Sequence, residues 1–599
     1  MATGALLLAS GLVATSCIDS SFDLDEDIDM TMGFGADGLS VKLGSTGKVY
    51  LDDILDIDKN VKLDGSNVYY LVEEGSTNVD FTVNAVTTKI TNATLHADHE
   101  LVNFASLLPA GLPSMTIPGN WSRSEELAGK TDDFTFRLSN IPSEVKNLSA
   151  IYPIAGTQVS LSLKLEATPN VKAKITEIKD LKITMPEYLR IKSVSPSPQC
   201  TFEGNVITIP NVANPGAGEF CRVEVECIDL GEDGNINGKN ELVLPVEKSR
   251  INMSGKFTVG ASQAFTVTED DNIRLSMDIH LGSGESATLT VDKVVGKFTP
   301  TINPTVKSIN IQDQLPDFLQ DDEVRIAVAN PTLRFDVDMR QIPVSLDFSG
   351  ELTAHKDAQG GQAGFDKTVK LPQSGMAEFL KSKQNYVYFS QQATPYDPTG
   401  LVDGAVKHQV SNLGTLIEQL PDYIKVDVSG EQIKVKDEPA TIQLGKNYNA
   451  SLGYKIFVPF QFNNGLKIVY RDSTNSLNED LEDYQAEGLV VKATAYSTVP
   501  LDLSATVYPV DVNGNEIPGI QVDNVMIKAS ADGTTEQATE MEISVKLTNP
   551  KDLQKVDRFR FRVSADATTQ SNLSLNSKQY LRFDNVRLKL TGKVIADFN

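Results

Sequence analysis

Val159-Ser160-Leu161-Ser162-Leu163-Lys164-Leu165-Glu166-Ala167 opens with four apolar residues set alternately among polar ones. A period of two fits a β-strand, whose successive side chains point to opposite faces, and not the 3.6-residue period of a helix. The same alternation sets Leu333, Phe335, Val337 and Met339 on one side of LRFDVDMR, and Phe559, Phe561 and Val563 on one side of RFRFRV. It recurs at Val586, Leu588 and Leu590 in VRLKL. Each segment reads as a strand with one buried and one solvated face, the mark of antiparallel sheets. The expected fold class is all-β, with several antiparallel β-sandwich-like domains in tandem and short connector helices.

Turn chemistry agrees. Asp64-Gly65 between VKL and NVYYLV supplies residues that tolerate the positive φ of a tight type I′ hairpin turn. Asp511-Val512-Asn513-Gly514-Asn515-Glu516 reads as a turn between LSATVYPV and IPGIQV. A pentapeptide recurs at Met185–Leu189, Leu315–Leu319 and Leu420–Ile424, each copy with Pro second and an aromatic residue fourth, ahead of β-like residues. It suggests duplicated β domains in which the ring plugs one end. Helical candidates are brief: Gly375 to Lys381 and Leu413 to Leu420, two turns each as connectors.

A chain of 599 residues exceeds what one core organises, so about three to five domains are expected. Polar, Gly- and Pro-rich stretches divide it into 31–125, 126–248, 249–470 (one domain or two) and 471–599. Lys and Arg total 54 against 80 Asp and Glu, a formal charge of −26, which repels phosphate backbones and argues against nucleic acid as a partner. Apart from the N-terminus, no stretch is apolar over the 18 or so residues a spanning helix needs.

Leu6 to Leu8, Ala9, Gly11, Leu12 and Val13 form a short apolar segment, and Ala14-Thr15-Ser16 places small residues directly before Cys17. The pattern resembles a bacterial lipoprotein signal. The resemblance implies that 1–16 is removed and that the Cys17 thiol is acylated. Residues 17–30 then form a tether, in which Asp19, Asp23, Asp25, Glu26, Asp27 and Asp29 resist packing. That segment is similar to the acidic export tag of surface lipoproteins of the Bacteroidota, which implies an outer-membrane, surface-exposed location with the membrane as partner through the lipid anchor. The β-rich remainder is similar in style to large lipoproteins of that phylum, which attaches no activity to it.

The remaining cysteines are Cys200, Cys221 and Cys227. In CRVEVECIDL the alternation puts Cys221 and Cys227 on one face, roughly 20 Å apart and unable to bridge. Cys200 pairs with one of them, or all three stay buried as thiols.

Motifs for catalysis are missing. Gly44-Ser45-Thr46-Gly47-Lys48 lacks the first Gly and the final Ser or Thr of a phosphate loop and reads as a β-turn. There is no G-x-S-x-G, H-E-x-x-H or C-x-x-C, and five histidines leave little general-base capacity. His96, Asp98, His99 and Glu100 would hold a metal if helical, but a strand would splay the imidazoles. Asp233, Asn235 and Asn237 match the opening of a calcium loop, although Leu244 stands at the twelfth position, and a hydrated hairpin turn is the plainer reading.

Arg558, Arg560 and Arg562 point away from their apolar neighbours, as do Arg587 and Lys589. Were the two strands side by side, five cations would share a face fit to dock an anionic glycan or an acidic surface protein; otherwise the face is solvated and balanced by carboxylates. Trp121, the single tryptophan, lies in PGNWSRSEE, either as a glycan platform or as a plug between domains. The expected function is therefore a non-catalytic surface lipoprotein with a binding, adhesion or assembly role and no cofactor, calcium aside. The alternative is a glycan-binding protein or carboxylate-dependent glycoside hydrolase of a polysaccharide-uptake system.

Overall fold

The computed structural model describes residues 39–596, apart from 55–60, 83–86, 90–93, 134–136, 140, 197–198, 216–217, 233, 282–287, 300–307, 311–322, 359–362, 428–431, 474–483, 486, 568–572 and 592–594. The described chain is almost entirely β-strand. Its one α-helix among these residues is the single turn Leu51–Ile54. Of the expected connector helices, Leu413 to Leu420 is helical only as the 3₁₀ turn Leu413–Leu416. Gly375 to Lys381 instead contains the strand Ala377–Phe379, which pairs with Leu346–Phe348. Ala377 and Phe379 are buried with Glu378 half-exposed between them, so period two prevails over helix propensity there.

The strand Gln158–Ala167 lies antiparallel between Gly218–Asp229 and Asn272–Leu281. Its sheet extends to Thr94–Asn103 on one side and, through Val145–Pro153 and Thr288–Phe298, to Ala440–Gln443 on the other. Val159, Leu161 and Leu163 face inward. A five-stranded sheet runs Thr201–Glu203, Val206–Ala213, Lys174–Thr184, Arg250–Ala261, Trp121–Asp133. Its Ile178, Leu181, Ile207 and Phe257 merge with Leu161, Val223 and Leu275 in one buried cluster. Leu161 is 0% exposed, so its truncation to Ala costs about 2–5 kcal/mol.

A six-stranded sheet follows, ordered Val406–Gln409, Gln384–Ser390, Thr332–Asp338, Asn447–Pro459, Tyr69–Thr82, Val61–Leu63. Phe335 and Phe389 from it pack with Phe348, Leu352, Val369 and Ile424 of smaller sheets. Towards the C-terminus, Leu39–Gly44, Tyr580–Thr591, Gly488–Ser497, Gln537–Leu547 and Ile520–Val522 form one sheet. Lys467–Ser473, Arg558–Asp566, Asp502–Val510 and Val525–Ile527 form another. The two share clusters around Phe583, Ile543 and Ile527, and around Phe559, Val545 and Ile520.

These layers are not laid out in tandem along the chain, because strands distant in sequence pair within the same sheets. Leu39–Gly44 pairs with Tyr580–Thr591, Tyr69–Thr82 with Asn447–Pro459, and Ala440–Gln443 with Thr288–Phe298. Residue 125 falls inside the strand Trp121–Asp133, and Lys467–Ser473 runs across residue 470. Strands on either side of residue 248 pair with each other, Lys174–Thr184 with Arg250–Ala261.

The turn after Val61–Leu63 differs from the expected two-residue I′ type. It is longer and carries its positive φ at Asn67 rather than at Gly65. The Asp64 carboxylate closes it by accepting from the Ser66 and Val68 amides at 2.8 and 2.9 Å. The Asp511 turn forms as expected, with the Asn513 and Asn515 amides donating to the Asp511 carboxylate and Gly514 at φ 81°. Strands begin at Leu189 and Tyr423 in two of the recurring pentapeptides. The third copy lies outside the described residues.

Candidate functional site

Along Tyr580–Thr591, Leu581 and Phe583 point into the core while Arg582 and Asp584 point outward. A bulge follows: the register with Gly488–Ser497 slips between Lys492 and Thr494, and Asn585 takes φ 53°. One extra residue switches the parity of a strand. Val586 therefore packs on the core, and Arg587 and Lys589 join Arg582 and Asp584 on the outward side.

Arg582 organises this face. Its Nε and Nη2 donate to the two Glu536 oxygens at 2.7 Å each, its Nη1 donates to Asp584, and its guanidinium lies 3.9 Å from the centre of the Tyr496 ring. Tyr580 donates its hydroxyl to Glu536 at 2.8 Å. Lys48 sits 4.0 Å over the Tyr580 ring, and Tyr50 meets that ring edge-on at 5.6 Å. The GSTGK segment supplies Lys48 from the link between the strands Leu39–Gly44 and Val49–Tyr50: the Thr46 amide donates to the Phe583 carbonyl, and the Thr46 hydroxyl accepts from the Phe583 amide. The Arg582 fork holds the Glu536 carboxyl down to about 2, aided by the Tyr580 hydroxyl against a smaller effect of burial. Three tyrosines, two cations and two carboxylates are thus fixed side by side, with Tyr50 the most open of the tyrosines at 37% exposure.

The expected five-cation face does not form, because the two strands belong to different sheets. Arg587 stands in register with Lys42 and Lys492, and Lys492 is paired with Glu542 at 2.8 Å. On the other sheet Arg562 donates to Glu323 at 2.5 Å, and the same carboxylate takes Lys467 at 2.9 Å and Arg471. Arg558 pairs with Asp557 at 2.7 Å, and exposed Arg560 lies against the Gly514 turn. On that strand Arg562 is thus compensated by a carboxylate from a distant part of the chain and Arg558 by its neighbour in sequence.

A second polar constellation was not foreseen. Arg334, on the side of Thr332–Asp338 expected to be solvated, is 8% exposed. Its Nε and Nη2 donate to the two Asp336 oxygens at 2.8 and 2.9 Å, and its Nη1 donates to Asp397 at 2.9 Å. Asp397, whose side chain is 0% exposed, also accepts from the Tyr388 hydroxyl at 2.7 Å, the Thr399 amide at 2.9 Å and the Thr399 hydroxyl at 2.6 Å. Burial works to raise the Asp397 carboxyl, yet hydrogen bonds from Thr399, Tyr388 and Arg334 hold it below its usual range. The strand's outer side is dry because 391–405 folds over it, and Tyr396 from that segment donates to Asp64 at 3.1 Å. Arg334 and Asp336 two apart on one face were the available signal, but nothing local announces their cover.

His96 and His99 lie on the strand Thr94–Asn103, exposed and buried respectively, so the imidazoles are splayed. His96 meets Asp278 at 2.6 Å and Asp98 at 3.3 Å, and its pKa is raised, chiefly by the hydrogen bond to Asp278. Among the described residues no group of three His, Cys, Asp or Glu is placed to hold a metal. In the candidate calcium loop Asp233 lies outside the described residues. The Asn235 side-chain oxygen Oδ1 accepts from the Asn147 side-chain amide at 3.1 Å, and Asn237 Oδ1 accepts from the backbone amides of Lys239 and Glu241 at 2.9 and 3.1 Å. The Asn237 contacts are those of a local turn, while the Asn235 contact reaches across to the strand Val145–Pro153. Trp121 opens a strand rather than sitting in a loop, and packs half-buried against Phe104 at 6.0 Å and Phe265 at 6.2 Å. Cys17 and its flanks lie outside the described residues.

No protein-family model matches the chain, and no curated protein matches it. Among solved structures, a protein of Parabacteroides distasonis thought to be secreted is similar at 14% identity and a TM-score of 0.33, the alignment covering 52% of this chain and 85% of that one. A Faustovirus major capsid protein aligns over 99% of this chain and 97% of its own at 7% identity, with a TM-score of 0.08. Neither likeness is close enough to carry an argument about function.

Proposed function

We propose that this chain is a non-catalytic, surface-exposed lipoprotein of a bacterial outer membrane, anchored through acyl groups on Cys17, and that it binds glycan on the outward face around Tyr50 and Arg582. The anchor reading is supported by the small residues before Cys17 and the acidic run after it. The observation that carries the binding reading is the fixed array of Tyr50, Tyr580, Tyr496, Lys48, Arg582 and Glu536. Sugar recognition uses aromatic surface beside prepositioned polar groups, and Arg582 locks its partners so that little side-chain freedom is lost on binding. Hydrolysis at this face is disfavoured, because a general acid needs a raised carboxyl pKa and Glu536 is held down to about 2.

Two measurements test the proposal. A glycan array probed with the chain lacking residues 1–17 should show specific signals, and Tyr50→Ala should weaken the best of them about tenfold, the size of one lost aromatic contact. Cys17→Ser in the full-length precursor should move the protein from the membrane fraction to the soluble one. A blank array, or a signal indifferent to Tyr50, sinks the binding reading, and an unchanged fractionation sinks the anchor.

A further inference from the structure

The three cysteines stand in two different environments. Beyond Val225 the strand Gly218–Asp229 is irregular: its pairing with Leu189–Ser195 runs Ile191 to Val225, then Arg190 to Cys227, so Glu226 is skipped. The parity change puts Ile228 in the core cluster and leaves Cys227 outside it, beside the Tyr152 hydroxyl. The expectation of Cys221 and Cys227 on one face is therefore corrected. Cys221 remains on the core side with Val223 and Val225.

Cys200 is carried to Cys221 by the backbone. Ser195 pairs across from Arg222, the neighbour of Cys221. The chain then turns, and the Cys200 amide closes the turn by donating to the Pro196 carbonyl at 2.8 Å. Cys200 and Cys221 are 2% and 1% exposed and belong to the same buried cluster. All three cysteines are free thiols in this structure.

We propose that Cys200 and Cys221 are an oxidation site, joined as a disulfide in the exported protein, with Cys227 left as a thiol. The compartment rests on the surface-lipoprotein reading above, since disulfides persist outside the cytoplasm. One thiolate attacks the disulfide of an oxidant of the thiol-disulfide exchange class, forming a mixed disulfide and releasing one oxidant thiolate. The second cysteine thiolate displaces the other oxidant sulfur. Two protons and two electrons leave the cysteines, and the oxidant is reduced to two thiols. Neither sulfur is accessible in the folded sheet, so the reaction belongs to folding after export, before the turn at Pro196 closes.

The test traps thiols in the full-length protein from its own membranes, by denaturing lysis in N-ethylmaleimide followed by peptide mass spectrometry. The expected result is a linked peptide pair carrying Cys200 and Cys221, an adduct on Cys227 alone, and a melting midpoint about 5–10 °C lower after reduction. Three adducts on protein that external protease can cleave on intact cells would overturn the disulfide while leaving the location standing. Should the protein prove intracellular, the location fails by itself. The pairing is then judged on that purified protein unfolded in denaturant and refolded in a glutathione redox buffer, where a link other than Cys200 to Cys221, or none, overturns it.

Discussion

Replacing Arg334 by Met asks whether 391–405 is held down by buried charge or by packing alone. Met keeps much of the apolar stem and removes the guanidinium. The loss is three hydrogen bonds, two to Asp336 and one to Asp397. Deleting one partner of a buried ion pair costs about 3–5 kcal/mol, because the remaining charge is left in a dry site. The Asp336 side chain is 23% exposed and recovers water, while Asp397 at 0% keeps its Tyr388 and Thr399 donors, so the lower end, about 3 kcal/mol, applies. In hydrogen exchange that is roughly a hundredfold faster opening for amides tied to the network. The reporters are Thr399, bonded to Asp397, Val402, bonded to the Tyr388 hydroxyl at 3.2 Å, and Tyr396, bonded to the Thr332 hydroxyl at 3.0 Å. Acid provides a second reading. The folded Asp397 carboxyl lies below its unfolded value, so its contribution is full above about pH 4 and is lost as the pH falls through the folded value. In Arg334→Met burial is opposed by fewer donors, the folded value rises, and the acid loss should shrink. Adding Asp397→Asn to Arg334→Met should cost less than the sum of the two single changes. Exchange at these amides within threefold of wild type would refute the reasoning and assign the segment to packing.

Glu536 is depressed, so the Arg582 contact stabilises the C-terminal sheet above the unfolded carboxyl value of about 4.3 and is lost as the pH falls toward about 2; Glu536→Gln should flatten that dependence in acid melts. A side chain at Gly75 would meet the Tyr454 ring, whose hydroxyl lies 2.5 Å from the position of a Cβ, so Gly75→Val should cost about 1–3 kcal/mol in urea unfolding and less in a Tyr454→Ala background. His96 has a raised folded pKa, so its pairing with Asp278 stabilises below the unfolded value of about 6.5 and is lost as the pH rises through the folded one; NMR titration should place its midpoint above 6.5, and Asp278→Asn should bring it back. Calcium or a chelator should leave the melting midpoint unchanged, because the Asn235 and Asn237 oxygens are already engaged; a rise with calcium would reinstate the loop as a cation site.

What was legible in the sequence is what a few neighbouring residues decide. Alternation in VSLSLKLEA sets which side chains enter the core, and they do: Val159, Leu161 and Leu163 are buried. The Asp511 turn is equally local, since Asp511 caps residues two and four positions on. Parity fails where one inserted residue inverts it. At Glu226 the skip separates Cys227 from Cys221, and at Asn585 it sets Arg587 and Lys589 beside Arg582 rather than opposite. No local pattern announces either bulge, because each is settled by the neighbouring strand. Strand partnership is less local still. RFRFRV and VRLKL look alike in isolation, yet one sheet takes Leu39–Gly44 as a neighbour and the other takes Lys467–Ser473. The charge on Arg562 is then decided by Glu323, 239 residues away in sequence. A basic stripe read from one strand describes only the charge of that strand, and whether it can attract a ligand depends on carboxylates that topology delivers. That is why the tyrosine and arginine face, assembled from Lys48, Tyr50, Tyr496, Glu536, Tyr580 and Arg582, could be recognised only after the ends of the chain had been brought into one sheet.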